Sequence, residues 1–177
     1  GTVWQLTEND GAIRILTHPD ENHRLTWDIY SNKTELFPSL HVFKVHQDKA
    51  GNDWLLTDNG LGMIRPGDKE PVSYFTETKG KLSGMNQAFY AVQERDEDIC
   101  FASDHGRVWV YQKGSGEFVL LELPTKGRIT SIHTVAPDMS VITTDSDGFF
   151  TCNLKTKASV HYSFLTCKEL PAKPILS

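Results

Sequence analysis

"DWLLTDNGLGMI", from Asp53 to Ile64, joins two β-type runs through a short polar link closed by Gly60. The plan returns in "VWQLTENDGAIRIL" (Val3 to Leu16), "ICFASDHGRVWVY" (Ile99 to Tyr111) and "SVITTDSDGFFTCNL" (Ser140 to Leu154). The turn glycines Gly11, Gly60, Gly106 and Gly148 stand 49, 46 and 42 residues apart. A period of that size in β-patterned sequence predicts an all-β propeller. In each copy a Thr or Ser (Thr7, Thr57, Ser103, Thr144) ends the first run, and glycine follows where φ must turn positive for the chain to reverse. The first runs are rich in Trp, Val, Ile, Leu and Phe and poor in charge. Such strands are covered on both faces, so each hairpin needs neighbours to bury it.

Working outward from the hairpins gives about four consecutive four-stranded blades. They span about 1–36, 37–80, 81–126 and 127–169, with 170–177 placed where a further inner strand would begin. Blade one is expected to lack its inner strand, because Gly1 immediately precedes the hairpin. Two arrangements fit these ends. The tail "LPAKPILS" (Leu170 to Ser177) pairs beside Val3 to Thr7 and closes a four-bladed ring, or the four blades are a fragment of a larger propeller. Two prolines in the tail, which cannot donate ladder hydrogen bonds, favour the larger propeller.

The composition narrows the classes of function. At 177 residues and 38% hydrophobic the chain can bury a core, and 13 Gly and 8 Pro punctuate many short segments. A net charge of −5 with scattered Lys and Arg offers no basic stripe for nucleic acid. No apolar run approaches membrane-spanning length, so no membrane contact by this segment is expected. Cys100, Cys152 and Cys167 form no Cys-x-x-Cys pair and read as free apolar residues, with a Cys152–Cys167 bridge as the alternative.

The stretch "HQDKAGNDWLLTDNGLGMI", from His46 to Ile64, resembles the repeat of the two-component regulator propeller family through Asp48, Gly51, Asn52, Trp54, Thr57, Gly60 and Leu61. Blade one keeps Trp4, Thr7 and Gly11 of that pattern; Cys100 stands for the Trp in blade three and Val141 roughly so in blade four. The resemblance implies a piece of a seven-bladed propeller. It also implies a place in the periplasmic input region of a hybrid two-component histidine kinase that responds to polysaccharide breakdown products. On that reading the segment is not itself an enzyme, and it has the remaining blades of its parent as partners. The two blade faces left open at the ends predict a homodimer. The alternatives are a protein-binding scaffold of the WD or kelch kind, or a propeller lyase or glycosidase.

Enzyme, metal and cofactor chemistry find little footing. No G-x-S-x-G, H-E-x-x-H or Walker loop occurs. "SDH" at Ser103 to His105 holds the residue types of a hydrolase triad, but adjacent residues in one turn cannot form that relay. "DSDG" at Asp145 to Gly148 lacks the first and twelfth ligands of a calcium loop, and "HPDENH" at His18 to His23 reads as a solvated segment. No cofactor is expected. For an oligosaccharide ligand the candidates are the polar groups near the second-to-third turns and the blade-to-blade connections: Asn59, Asn86, Gln87, His105, Arg107, Arg128 and Asp147. Trp27 is the nominated stacking aromatic, against the plainer reading that Trp27 and Tyr30 pack the outer strand of blade one.

Overall fold

The computed structural model describes residues 2–31, 33–34, 37–76, 82, 87–163 and 165–168. Among them it has fifteen strands and no helix. Blade one is β1 (Thr2–Leu6), β2 (Ala12–Leu16) and β3 (Thr26–Tyr30); blade two is β4 (Val42–Gln47), β5 (Asp53–Thr57), β6 (Gly60–Ile64) and β7 (Val72–Tyr74). Blade three is β8 (Phe89–Glu94), β9 (Asp98–Ser103), β10 (Arg107–Gln112) and β11 (Glu117–Glu122). Blade four is β12 (Ile129–Ala136), β13 (Met139–Thr144), β14 (Phe149–Asn153) and β15 (Ser159–Tyr162). Each sheet is a meander with its strands in chain order, three-stranded in blade one and four-stranded in the others. Among the described residues β1 thus takes the second-strand place of the repeat in blade one, and the tail from Leu170 to Ser177 lies outside the described residues. The chain divides into two compact units, 1–89 and 90–177.

In the first unit Ala12 and Tyr30 of blade one pack with Phe37, Val42, Leu55 and Ile64. Every residue of β5 and β6 is buried, which is the coverage on both faces that their uninterrupted apolar character demands. Burying a side chain such as Leu55 or Leu56 contributes about 1.5–3 kcal/mol. In the second unit Cys100, Val108, Ile129, Ile142, Phe150 and Cys152 share one core. All three cysteines are free, so the Cys152–Cys167 bridge does not form. Burial pushes the Cys100 thiol up to about 12 and also raises that of Cys152, so both behave as small apolar residues rather than as nucleophiles.

The repeated turn has a simple chemistry. The Thr57 hydroxyl donates to the Gly60 carbonyl at 2.8 Å and accepts the Asn59 amide at 3.1 Å, so one side chain closes the reversal from both sides. Thr7 does the same for Gly11 and the Asp10 amide, and Thr144 for Gly148 and the Asp147 amide. Gly60 has φ of 105°, and a Cβ there would meet Thr76 Cγ2 at 2.8 Å and the Tyr74 carbonyl as well. Glycine is thus required twice, for conformation and for space. The Gly60 amide in turn donates to the Gln87 carbonyl at 2.7 Å, and the Gly11 amide to the Leu40 carbonyl at 3.0 Å.

Candidate functional site

Among the described residues polar groups gather in two settings. The first is the strand ends that carry the turn glycines, taken in each unit by itself. In the first unit, Asn59 is half-buried in the β5–β6 turn, and Gln87 stands beside it through its carbonyl bond to Gly60. Asn86 lies outside the described residues. In the second unit, His105 is exposed with φ of 56° in the β9–β10 turn, while Ser103 is wholly buried. Burial withholds Ser103 from solvent, so the "SDH" segment offers no accessible hydroxyl nucleophile. Arg107 Nε is 3.6 Å from Glu122 Oε1, and Asp147 presents its carbonyl and carboxylate to His161 Nε2 at 2.6 and 3.5 Å.

Arg128 belongs to a tighter group. Its guanidinium lies over the Tyr90 ring at 4.9 Å from the centroid, its Nε is 3.6 Å from Asp145 Oδ2, and its amide donates to Asp145 Oδ1 at 3.1 Å. The Tyr90 hydroxyl donates to Asp104 Oδ2 at 3.4 Å. Burial, reinforced by the Asp104 charge, raises the Tyr90 pKa and keeps the phenol a donor. Tyr90 is not marked out by the sequence, and Asp104 and Asp145 stand out there only as parts of the "SDH" and "DSDG" segments. The signal was present: an acid follows the closing Thr or Ser in every blade, as Glu8, Asp58, Asp104 and Asp145. Asp58 has its own partners, Ser39 Oγ at 2.5 Å and His41 Nδ1 at 3.7 Å.

The second place is a cleft of about 630 Å³ in the first unit, at the end of blades one and two remote from Gly11 and Gly60. Leu16 and Thr26 face each other across β2 and β3 there, and Gln47 and Asp53 across β4 and β5. Arg14 is buried in its wall. Its Nε and Nη2 donate to Asp28 Oδ2 at 3.1 and 2.7 Å, and Nη2 also donates to the Asp68 carbonyl at 2.9 Å. Gln47 Nε2 donates to Asp53 Oδ1 at 3.1 Å. Burial raises the Asp53 pKa against the opposing pull of Gln47 and Arg14.

Trp27 lines the rim of this cleft, but strand alternation turns its side chain away from Asp28 and Arg14. On that other face it joins Val3, Ile13, Ile15 and Ile29 in an apolar surface, with Trp27 61% and Ile29 60% exposed. Tyr30, by contrast, is 1% exposed and packs between Trp4 and Phe37. The two aromatics read together in the sequence therefore do different things. The loop from His18 to His23 is organised by Asp20, whose carboxylate accepts the amides of Asn22 and Arg24. Among the described residues no three His, Cys, Asp or Glu side chains come together as a metal-binding group.

Consecutive meanders held by repeated Thr–Gly turns define β-propeller blades, and solved structures bear out the fold. The extracellular domain of the hybrid two component system BT4673 from B. thetaiotaomicron matches with a TM-score of 0.70 and 16% identity over 92% of this chain and 21% of its own. The corresponding domain of system BT3049 from the same organism gives 0.66 and 12%, over 92% of this chain and 23% of its own. Virginiamycin B lyase from Staphylococcus aureus gives 0.65 and 18%, over 92% and 52%. The chain spans about a fifth of the two extracellular domains and about half of the lyase. No family model and no curated protein matches the sequence.

Proposed function

We propose that this chain is a non-enzymatic segment of the periplasmic input domain of a two-component sensor histidine kinase, and that its parent responds to oligosaccharides released from polysaccharides. The observation that carries this reading is the Asp48–Trp54 arrangement, the physical content of the repeat that resembles the two-component regulator propeller. Asp48 Oδ2 accepts Trp54 Nε1 and Asn52 Nδ2, each at 2.9 Å, while Oδ1 accepts the amides of Asn52 and Ala50. The likeness in fold to the extracellular domains of two hybrid two component systems supports the same reading. Further blades of the parent and a second copy of the chain are its partners, the latter through the exposed apolar face of blade one.

A propeller lyase is the competing reading, favoured by the likeness to virginiamycin B lyase. Two measurements separate them. A strain lacking the gene that encodes this chain loses transcriptional induction by one polysaccharide, and the purified chain leaves glycosides and virginiamycin B intact. Unaltered induction across a polysaccharide panel, or robust turnover, overturns the sensor reading.

A further inference from the structure

We propose that the cleft walled by Arg14, Asp28, Gln47 and Asp53 is a binding site for a short neutral oligosaccharide, an inference that takes its ligand class from the sensor reading above. The cleft, at about 630 Å³, falls in the range of pockets that enclose small ligands. Its polar wall is built before any ligand arrives. The Arg14 guanidinium is fixed by Asp28 and by the Asp68 carbonyl, and its own cation lies 5.7 Å from the centre of the Tyr30 ring. Gln47 and Asp53 hold each other in the same way.

The charges select the ligand. Arg14 is set against Asp28, and Arg65 at the mouth stands 4.0 Å from Asp68. The carboxylates accept and the guanidinium and amide donate, which suits sugar hydroxyls that both donate and accept. Lys69 and Asp53 also line the cleft, so three cations (Arg14, Arg65 and Lys69) stand near three carboxylates (Asp28, Asp53 and Asp68) and leave little surplus to attract an anion, while charged groups strengthen hydrogen bonds to neutral partners. Leu16 and Pro66 supply apolar lining for the C–H faces of a ring. Of the nominees that are described, only Trp27 touches this cleft, at its rim.

The test is calorimetric titration of the 177-residue chain with cellotetraose, xylotetraose and mannotetraose, and with tetragalacturonate as the anionic arm. Two variants probe the cleft. Thr26 is exposed on a cleft-lining strand, so Thr26→Trp fills the space without entering the core, and Gln47→Ala removes one donor. One neutral tetrasaccharide is expected to bind, with affinity falling at least about tenfold in Thr26→Trp and about three- to tenfold in Gln47→Ala. Lys155→Ala, at an exposed position in the other unit, should leave it unchanged. Binding that ignores both cleft variants overturns the cleft and leaves the sensor reading standing. Tighter binding of tetragalacturonate overturns the neutral ligand. Failure of every tetrasaccharide to bind overturns the inference, while the sensor reading is judged separately by the gene-deletion strain.

Discussion

Blade one and blade two share the same turn, with Thr7 and Thr57 bonded to Gly11 and Gly60 in the same way, yet their strands are buried differently. Every residue of β5 is buried; in β1, Val3, Gln5 and Leu6 are exposed and Trp4 is half-buried. Trp4 and Trp54 occupy the same position in the repeat. Trp54 is wholly buried, stacked on Tyr74 and held by Asp48, while Trp4 leans on Tyr30 from an edge strand. The turn is a local device, whereas the fate of a strand depends on what lies beside it. A sequence repeat reports the first directly and the second only through neighbours.

The largest test of that contrast is Trp54→Ala. Removing a buried indole that also satisfies Asp48 should cost about 3–5 kcal/mol in urea denaturation. Trp4→Ala should cost clearly less, and equal costs would erase the distinction between the two blades.

Next in size is Asp48→Asn. Burial opposes the Asp48 charge, but the bonds from Asn52, Trp54 and Ala50 outweigh it and hold its carboxyl below the ordinary value. A carboxylate depressed on folding adds stability above its unfolded pKa, and that stability is lost as pH falls through the folded pKa. The variant should therefore be weaker by about 1.5–3 kcal/mol at neutral pH. The gap should close as the pH falls below about 4. A gap that stays constant across denaturation curves from pH 7 to pH 3 would assign the loss to shape rather than charge.

The smallest effect on stability is expected at Trp27. Its ring is exposed, so Trp27→Ala should stay within about 0.5 kcal/mol of the parent. Its association behaviour should change more. On the proposed pairing of two copies through this apolar face, the substitutions Trp27→Lys and Ile29→Lys made together should leave only monomer in sedimentation velocity. Dimers that persist would move the interface elsewhere.

The legibility of the molecule in its sequence follows the same division. The hairpins and their glycines could be read because each depends on a few consecutive residues, Thr7 to Gly11 or Thr57 to Gly60. The Arg14–Asp28 pair could not, since it joins β2 to β3 across a register that only the folded sheet fixes. The same holds for Tyr90 and Asp104, fourteen residues apart and brought together by the β8–β9 pairing. Trp27 and Tyr30 are a different case. Three residues apart on a strand, they point to opposite faces, so one becomes core and the other surface.

The closing bonds of the repeated turn come from the Thr hydroxyl, the glycine carbonyl and a main-chain amide, none of which depends on the side chains in between. Asp58 and Asn59 in one blade, and Asp145, Ser146 and Asp147 in another, occupy a slot whose shape is guaranteed by its flanks. Such a slot separates the grammar of the fold from its vocabulary. A propeller built this way can exchange the two or three residues it shows at each blade tip, one blade at a time, and acquire a new surface without renegotiating how the chain reverses.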